Sequence, residues 1–239
     1  MTVSNTQSAP LPTPVVMLRH VGVEREPVVV VDDATGTLAA LRAVAARTSF
    51  EPAAAVDSHY PGLLAPAPVA YLDALVRFAL PLIAQHFGIG RVVPQRARGN
   101  FSLVTTAPAD LSVEQRVPHV DAADRMQFAA VHYLSDHAAG TGFFRHRATG
   151  FETIDADRLP AYRARLDAEL ADLPPGGYVT GDHPLFALVD TVAARSDRLI
   201  LYRAALLHSG LIAALPDHPD DPARGRLTGN LFLQCRTPA

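Results

Sequence analysis

Gln127-Phe128-Ala129-Ala130-Val131-His132-Tyr133-Leu134 is a mostly apolar run with β-branched and aromatic members, closed by Ser135-Asp136. It reads as a strand ended by a turn, and the segments around it repeat the pattern. Thr141-Gly142-Phe143-Phe144-Arg145 reads as the next strand, and Arg198-Leu199-Ile200-Leu201-Tyr202 as a later one. Residues 27–31, 100–106, 185–194, 206–213 and 227–234 are further strand candidates. Neighbours in a strand alternate between faces, so Tyr133 and His132 point opposite ways.

Helical patterns lead the chain and interrupt it once. Residues 37–47 carry Leu38, Leu41, Val44 and Ala45 at helical spacing, with 32–35 able to cap them. Residues 69–87 carry a second stripe and contain Pro81, which predicts a kink. Residues 159–173 form a third, stopped by Pro174-Pro175-Gly176-Gly177. Residues 51–66 and 215–225 read as loops. The succession predicts a mainly β chain with flanking helices: a double-stranded β-helix, or jelly-roll, barrel with helices packed on one sheet. Residues 1–14 read as a flexible tail and 15–239 as one domain.

His119-Val120-Asp121 is the chemically richest tripeptide. Residues i and i+2 of a strand share a face, so His119 and Asp121 can grip one ion from one short segment, with His208 closing the site from a distant strand. Two histidines and a carboxylate are a ligand set for non-haem Fe(II) that leaves positions open. The alternative is a polar turn after Pro118, since a chain with 10 histidines produces such tripeptides by chance. Arg226 and Thr228, two apart at the start of the last strand, can hold a carboxylate on one face. Arg224 is the rival, and a surface arginine is the plain alternative. His86, His137 and His183 have no pattern to support them as ligands.

The order of these elements resembles the Fe(II)/2-oxoglutarate-dependent oxygenases, in particular their prolyl-4-hydroxylase-like branch, and most closely a little-characterised bacterial family within it. The likeness runs over about residues 95–236. It is carried by Pro118 to Asp121, Tyr133-Leu134, Gly140 to Phe144, Arg198 to Tyr202, Leu207-His208-Ser209-Gly210 and Arg226. It implies His119, Asp121 and His208 as metal ligands inside the barrel, and Arg226, Thr228 and Tyr133 as contacts to 2-oxoglutarate. Plain core packing is the other reading of Tyr133. The resemblance implies Fe(II) as cofactor, 2-oxoglutarate and O2 as co-substrates, and hydroxylation or a related oxidation, since Asp121 stands where related halogenases have a small residue. The 18 positions between His208 and Arg226 exceed the usual spacing, and loop 215–225 absorbs them.

Composition narrows the partners. Net charge is −3 with no Lys/Arg run, which points away from nucleic acid. No apolar stretch is long enough to span a bilayer. The N-terminus lacks a basic region followed by an apolar one, so the expectation is a cytoplasmic protein. The absence of tryptophan argues against a stacking platform and for a small-molecule substrate, such as an amino acid or natural-product intermediate. Arg145 and Arg147 share a strand face, where they either meet an anionic substrate or form a solvated edge. Cys235, the single cysteine, excludes an internal disulfide and reads as a buried small hydrophobe. Two other functions use the same ligands: a non-redox metal-binding or sensor protein, and a zinc hydrolase. The hydrolase needs a general base, for which Glu114 and Asp124 are near in sequence.

Overall fold

A computed structural model describes residues 12–136 and 140–238. Its strands are β1 (Val15–Val21), β2 (Glu26–Asp32), β3 (Glu51–Pro52), β4 (Gly62–Pro66), β5 (Val93–Val104), β6 (Gln127–Tyr133), β7 (Thr141–His146), β8 (Phe186–Val192), β9 (Arg198–Arg203), β10 (His208–Gly210) and β11 (Leu227–Arg236). Its helices are α1 (Leu38–Ala45), α2 (Val69–His86) and α3 (Leu159–Leu170). Eight strands form one antiparallel sheet in the order β1-β2-β9-β6-β11-β5-β4-β3, and three form a second in the order β10-β7-β8.

The two sheets face each other as a sandwich. Tyr133, Ile200 and Tyr202 of the large sheet pack against Phe143 and Val192 of the small one, and the Phe143 and Tyr202 rings meet edge to face at 5.4 Å. The outer face of the large sheet carries Leu227, Leu231, Leu233 and Cys235 and packs under Leu41, Leu75 and Ile83 of the leading helices. The outer face of the small sheet carries Phe144 and Phe186 and packs on Tyr162 and Leu166 of α3. Alternation of side chains makes this layering possible, because the central strands serve two cores with their two faces.

No closed barrel forms among the described residues, which corrects the barrel expectation. The fold is a sandwich of two open sheets. The ligand-bearing segments account for this. Pro118 lacks a backbone donor, so the 119–121 segment pairs through a single bridge, His119 with His208, instead of a ladder. Only His208–Gly210 of residues 206–213 is strand.

Other boundaries move for local reasons. Residues 51–66, expected to be loop, hold β3 and β4, because β5 supplies a hydrogen-bonding partner for residues 62–66. β5 starts at Val93, not at residue 100. β1 has no counterpart in the sequence pattern. Most of the expected tail, and His137, lie outside the described residues. α2 runs as one helix through Pro81. The turn before α1 is capped from afar: the Asp197 carboxylate accepts from the Thr35 and Gly36 N–H groups, whereas Asp32 pairs with Arg198 and Arg195. Cys235 is buried, and burial pushes its thiol up to about 11, so it behaves as a hydrophobe. No described helix is long and apolar enough to cross a membrane.

Candidate metal centre

His119, Asp121 and His208 converge, with one donor atom from each within 4.8 Å of the others. The backbone arranges this. His119 and His208 exchange both N–H to O=C hydrogen bonds at 2.9 Å, so their side chains rise from one non-ladder pair. Their rings lie 4.5 Å apart. The Asp121 N–H donates to the Ala204 carbonyl at 2.9 Å, which brings the carboxylate to 3.9 Å from His119 Nε2 and 3.5 Å from His208 Nε2.

The tautomer of His208 is set by its neighbour. Its Nδ1 lies 2.8 Å from the Leu206 carbonyl, which can only accept, so Nδ1 carries the hydrogen and Nε2 turns its lone pair toward Asp121. Burial holds the His208 imidazole neutral, with its pKa lowered to about 4. His119 is shifted the same way by its surroundings and by His208. Burial raises Asp121, and the charges of His119 and Arg98 pull it back. Two neutral imidazoles and a carboxylate are the protonation states that divalent metals bind. The donor chemistry therefore fits a divalent cation. Its position departs from the expectation of a centre inside a barrel: His208 and Asp121 are largely buried, but the His119 side chain is 53% exposed, so the centre opens to solvent on one side.

Register places the other side chains in rows across the inner face of the large sheet. Ser102, Thr228, Tyr133 and Arg198 form one row. Arg98, Phe232, Ala129 and Tyr202 form another, four residues along β11 and hence roughly 13 Å away. The Tyr202 ring touches the His208 ring at 4.8 Å, so the metal ligands stand over this second row.

The Thr228 row ends in a buried polar chamber. Arg226, just ahead of β11, is 8% exposed and has no carboxylate partner among the described residues; its Nε is buried without a hydrogen bond. Its guanidinium carbon sits 6.0 Å from the Tyr133 ring centre. Thr228 Oγ1 lies 2.6 Å from Ser102 Oγ. Tyr133 is buried on this face and its phenol meets Thr141 Oγ1 of the small sheet at 2.7 Å. His132 points to the helix side, held between Tyr71 Oη at 2.9 Å and Asp197 Oδ1 at 2.8 Å.

Tyr60 is the site residue that sequence reading passes over. Its phenol is buried amid Ser102, Thr228 and Arg226. Nothing in its loop marks it; only the fold brings it over β5 and β11. Arg224 is exposed, in the turn before Arg226. Arg145 and Arg147 face carboxylates, Glu152 at 3.7 Å and Asp182 at 3.5 Å. Of the other histidines, His146 is buried between Thr149 and Glu169.

A family model described as a family of unknown function, DUF6445, matches residues 12–233. The chain belongs to that family. The match takes in both sheets and every member of the DUF6445 chain's candidate site. No curated protein matches it by sequence. Among solved structures it is similar to HygX from Streptomyces hygroscopicus with nickel and 2-oxoglutarate bound, at 14% identity and a TM-score of 0.36, over 86% of this chain and 82% of that one. A likeness at this level assigns neither a site nor an activity to the DUF6445 protein.

Proposed function

We propose that this protein is an Fe(II)- and 2-oxoglutarate-dependent oxygenase acting on a small metabolite. The observation that carries the reading is Arg226: a buried guanidinium with no counter-ion among the described residues, beside the hydroxyls of Thr228, Ser102 and Tyr60. Guanidinium stays charged at every physiological pH, and a buried unpaired charge is costly. A carboxylate seated there relieves the cost, because its two oxygens match the paired donors. The donor set of His119, Asp121 and His208 suits the keto-acid end of the same molecule, and the roughly 13 Å between the two rows leaves room for a five-carbon diacid.

Bound Fe(II) supplies the redox chemistry: 2-oxoglutarate, O2 and a substrate C–H bond give succinate, CO2 and a C–OH group. The chain's residues do the positioning. His119, Asp121 and His208 would hold the ion, and three protein ligands would leave it open to reactants. Arg226, Thr228 and Tyr60 anchor the far carboxylate and so set the orientation of the keto acid. Tyr133 and Tyr202 wall the chamber and exclude water.

Among the described residues, neither carboxylate considered as the hydrolase's base stands ready for that role. Glu114 is exposed, and Asp124 is engaged by Met126 N–H and Gln234. A non-redox metal protein need not keep the Arg226 chamber. Equilibrium dialysis of 2-oxoglutarate against the Fe(II)-loaded protein under anaerobic conditions tests the reading. Wild type is expected to bind, and Arg226→Ala to bind about 10- to 100-fold more weakly, the worth of a charge-assisted bond. Equal binding by the two proteins contradicts it.

A further inference from the structure

The row beneath the metal ligands ends in a groove of about 550 Å³ lined by Gln95, Arg96, Arg98, Gln127, Phe232 and Gln234. This volume lies in the range that accommodates small metabolites. The groove lies at the opposite end of the sheet face from Arg226. Along β11, Thr228, Asn230, Phe232 and Gln234 lead from the buried chamber to it, with Ser102, Asn100, Arg98 and Arg96 beside them on β5.

Its chemistry is basic and amide-rich in a chain of net charge −3. Neither Arg96 nor Arg98 has a carboxylate partner or a side-chain hydrogen bond among the described residues, whereas Arg145 and Arg147 both face one. The Arg98 guanidinium lies over the Phe232 ring, 5.2 Å from its centre, which leaves its outer edge for a ligand. Phe232 is half-buried and offers an apolar wall. Gln234 is fixed by Asp124 at 2.9 Å.

The geometry points to this groove as the primary-substrate site, selecting a small molecule with an anionic oxo group, a carboxylate or a phosphate ester, bound by Arg98 and Arg96 with its apolar part on Phe232. It rests on the oxygenase reading for the word substrate and on this chain's own residues for the anion site. The two acids would then be held by two separate arginine sites at opposite ends of the sheet face.

The test is calorimetric titration of the metal-free protein with phenylacetate, phenyl phosphate and neutral phenylacetamide. At least one anion is expected to bind about 10-fold or more tightly than the amide, the worth of a charge-assisted bond. That preference should vanish in Arg98→Gln, an exposed position whose replacement leaves the core untouched, and persist in Arg226→Ala. The tighter anion identifies the group selected. Binding by the amide equal to both anions, no binding by any probe, or an undiminished anion preference in Arg98→Gln overturns the proposal. Failure of the oxygenase reading looks different: 2-oxoglutarate binding becomes indifferent to Arg226 while Arg98-dependent anion binding remains.

Discussion

Arg226 combines a cost to the fold with a use in the site. With no anion beside it, its buried charge destabilises the ligand-free protein. Arg226→Met keeps much of the volume and removes the charge. It is expected to raise the ligand-free protein's stability by about 1–3 kcal/mol while removing 2-oxoglutarate binding. Urea unfolding measures the first effect and dialysis the second; a destabilised Arg226→Met protein contradicts the view that this cation lacks an internal counter-ion. Sequence made the arginine legible through its two-residue spacing from Thr228 in a strand-like run. Burial distinguishes it from Arg224, and burial is a property of the folded chain. Tyr60 was illegible for the same reason.

The β6 and β11 pair sorts side chains between metal side and helix side. Tyr133 and Thr228 stand opposite each other on the inner face, and His132 and Gly229 on the outer. Gly229 matters because a Cβ there would overlap the Tyr71 phenol, which is held by His132, itself held by Asp197. Gly229→Ala is expected to cost about 1–3 kcal/mol, the usual penalty for overpacking. It should also displace α2 from the sheet, which hydrogen exchange across α2 detects; wild-type stability and exchange contradict the account. Mostly apolar runs with β-branched and aromatic members made β6, β7, β9 and β11 readable. β4 was not, because Pro- and Gly-rich text favours loop until a neighbouring strand provides the ladder. The closed barrel failed at Pro118 and at the three-residue β10, where local backbone chemistry overrode the overall pattern.

The molecule as a whole holds its imidazole ligands neutral, and this gives its stability a pH dependence. His208 drops from 6.5 toward about 4 on folding, and His119 moves the same way. Between those values the unfolded chain binds more protons than the folded one. Stability of the metal-free protein is therefore expected to rise with pH from about 4 to about 6.5 and then level off with respect to these groups. His208→Gln should flatten that slope in urea titrations across the window; an unchanged slope contradicts the assignment. The raised Asp121 acts in the opposite sense, from about 3.8 upward and so within the same window. Because both imidazoles are already neutral above this window, metal binding should change little between pH 6.5 and 8.

The most direct measurement is the visible spectrum of the anaerobic protein with Fe(II) and 2-oxoglutarate. It requires metal and keto acid to share one cavity, which is what His119, Asp121, His208 and Arg226 together imply. A weak metal-to-ligand charge-transfer band is expected only when both are added. It should be absent in Asp121→Ala, and in Arg226→Ala it should appear only at a 2-oxoglutarate concentration about 10- to 100-fold higher. No band in a wild-type protein that demonstrably binds both Fe(II) and 2-oxoglutarate would contradict the account, because the two would then occupy separate sites.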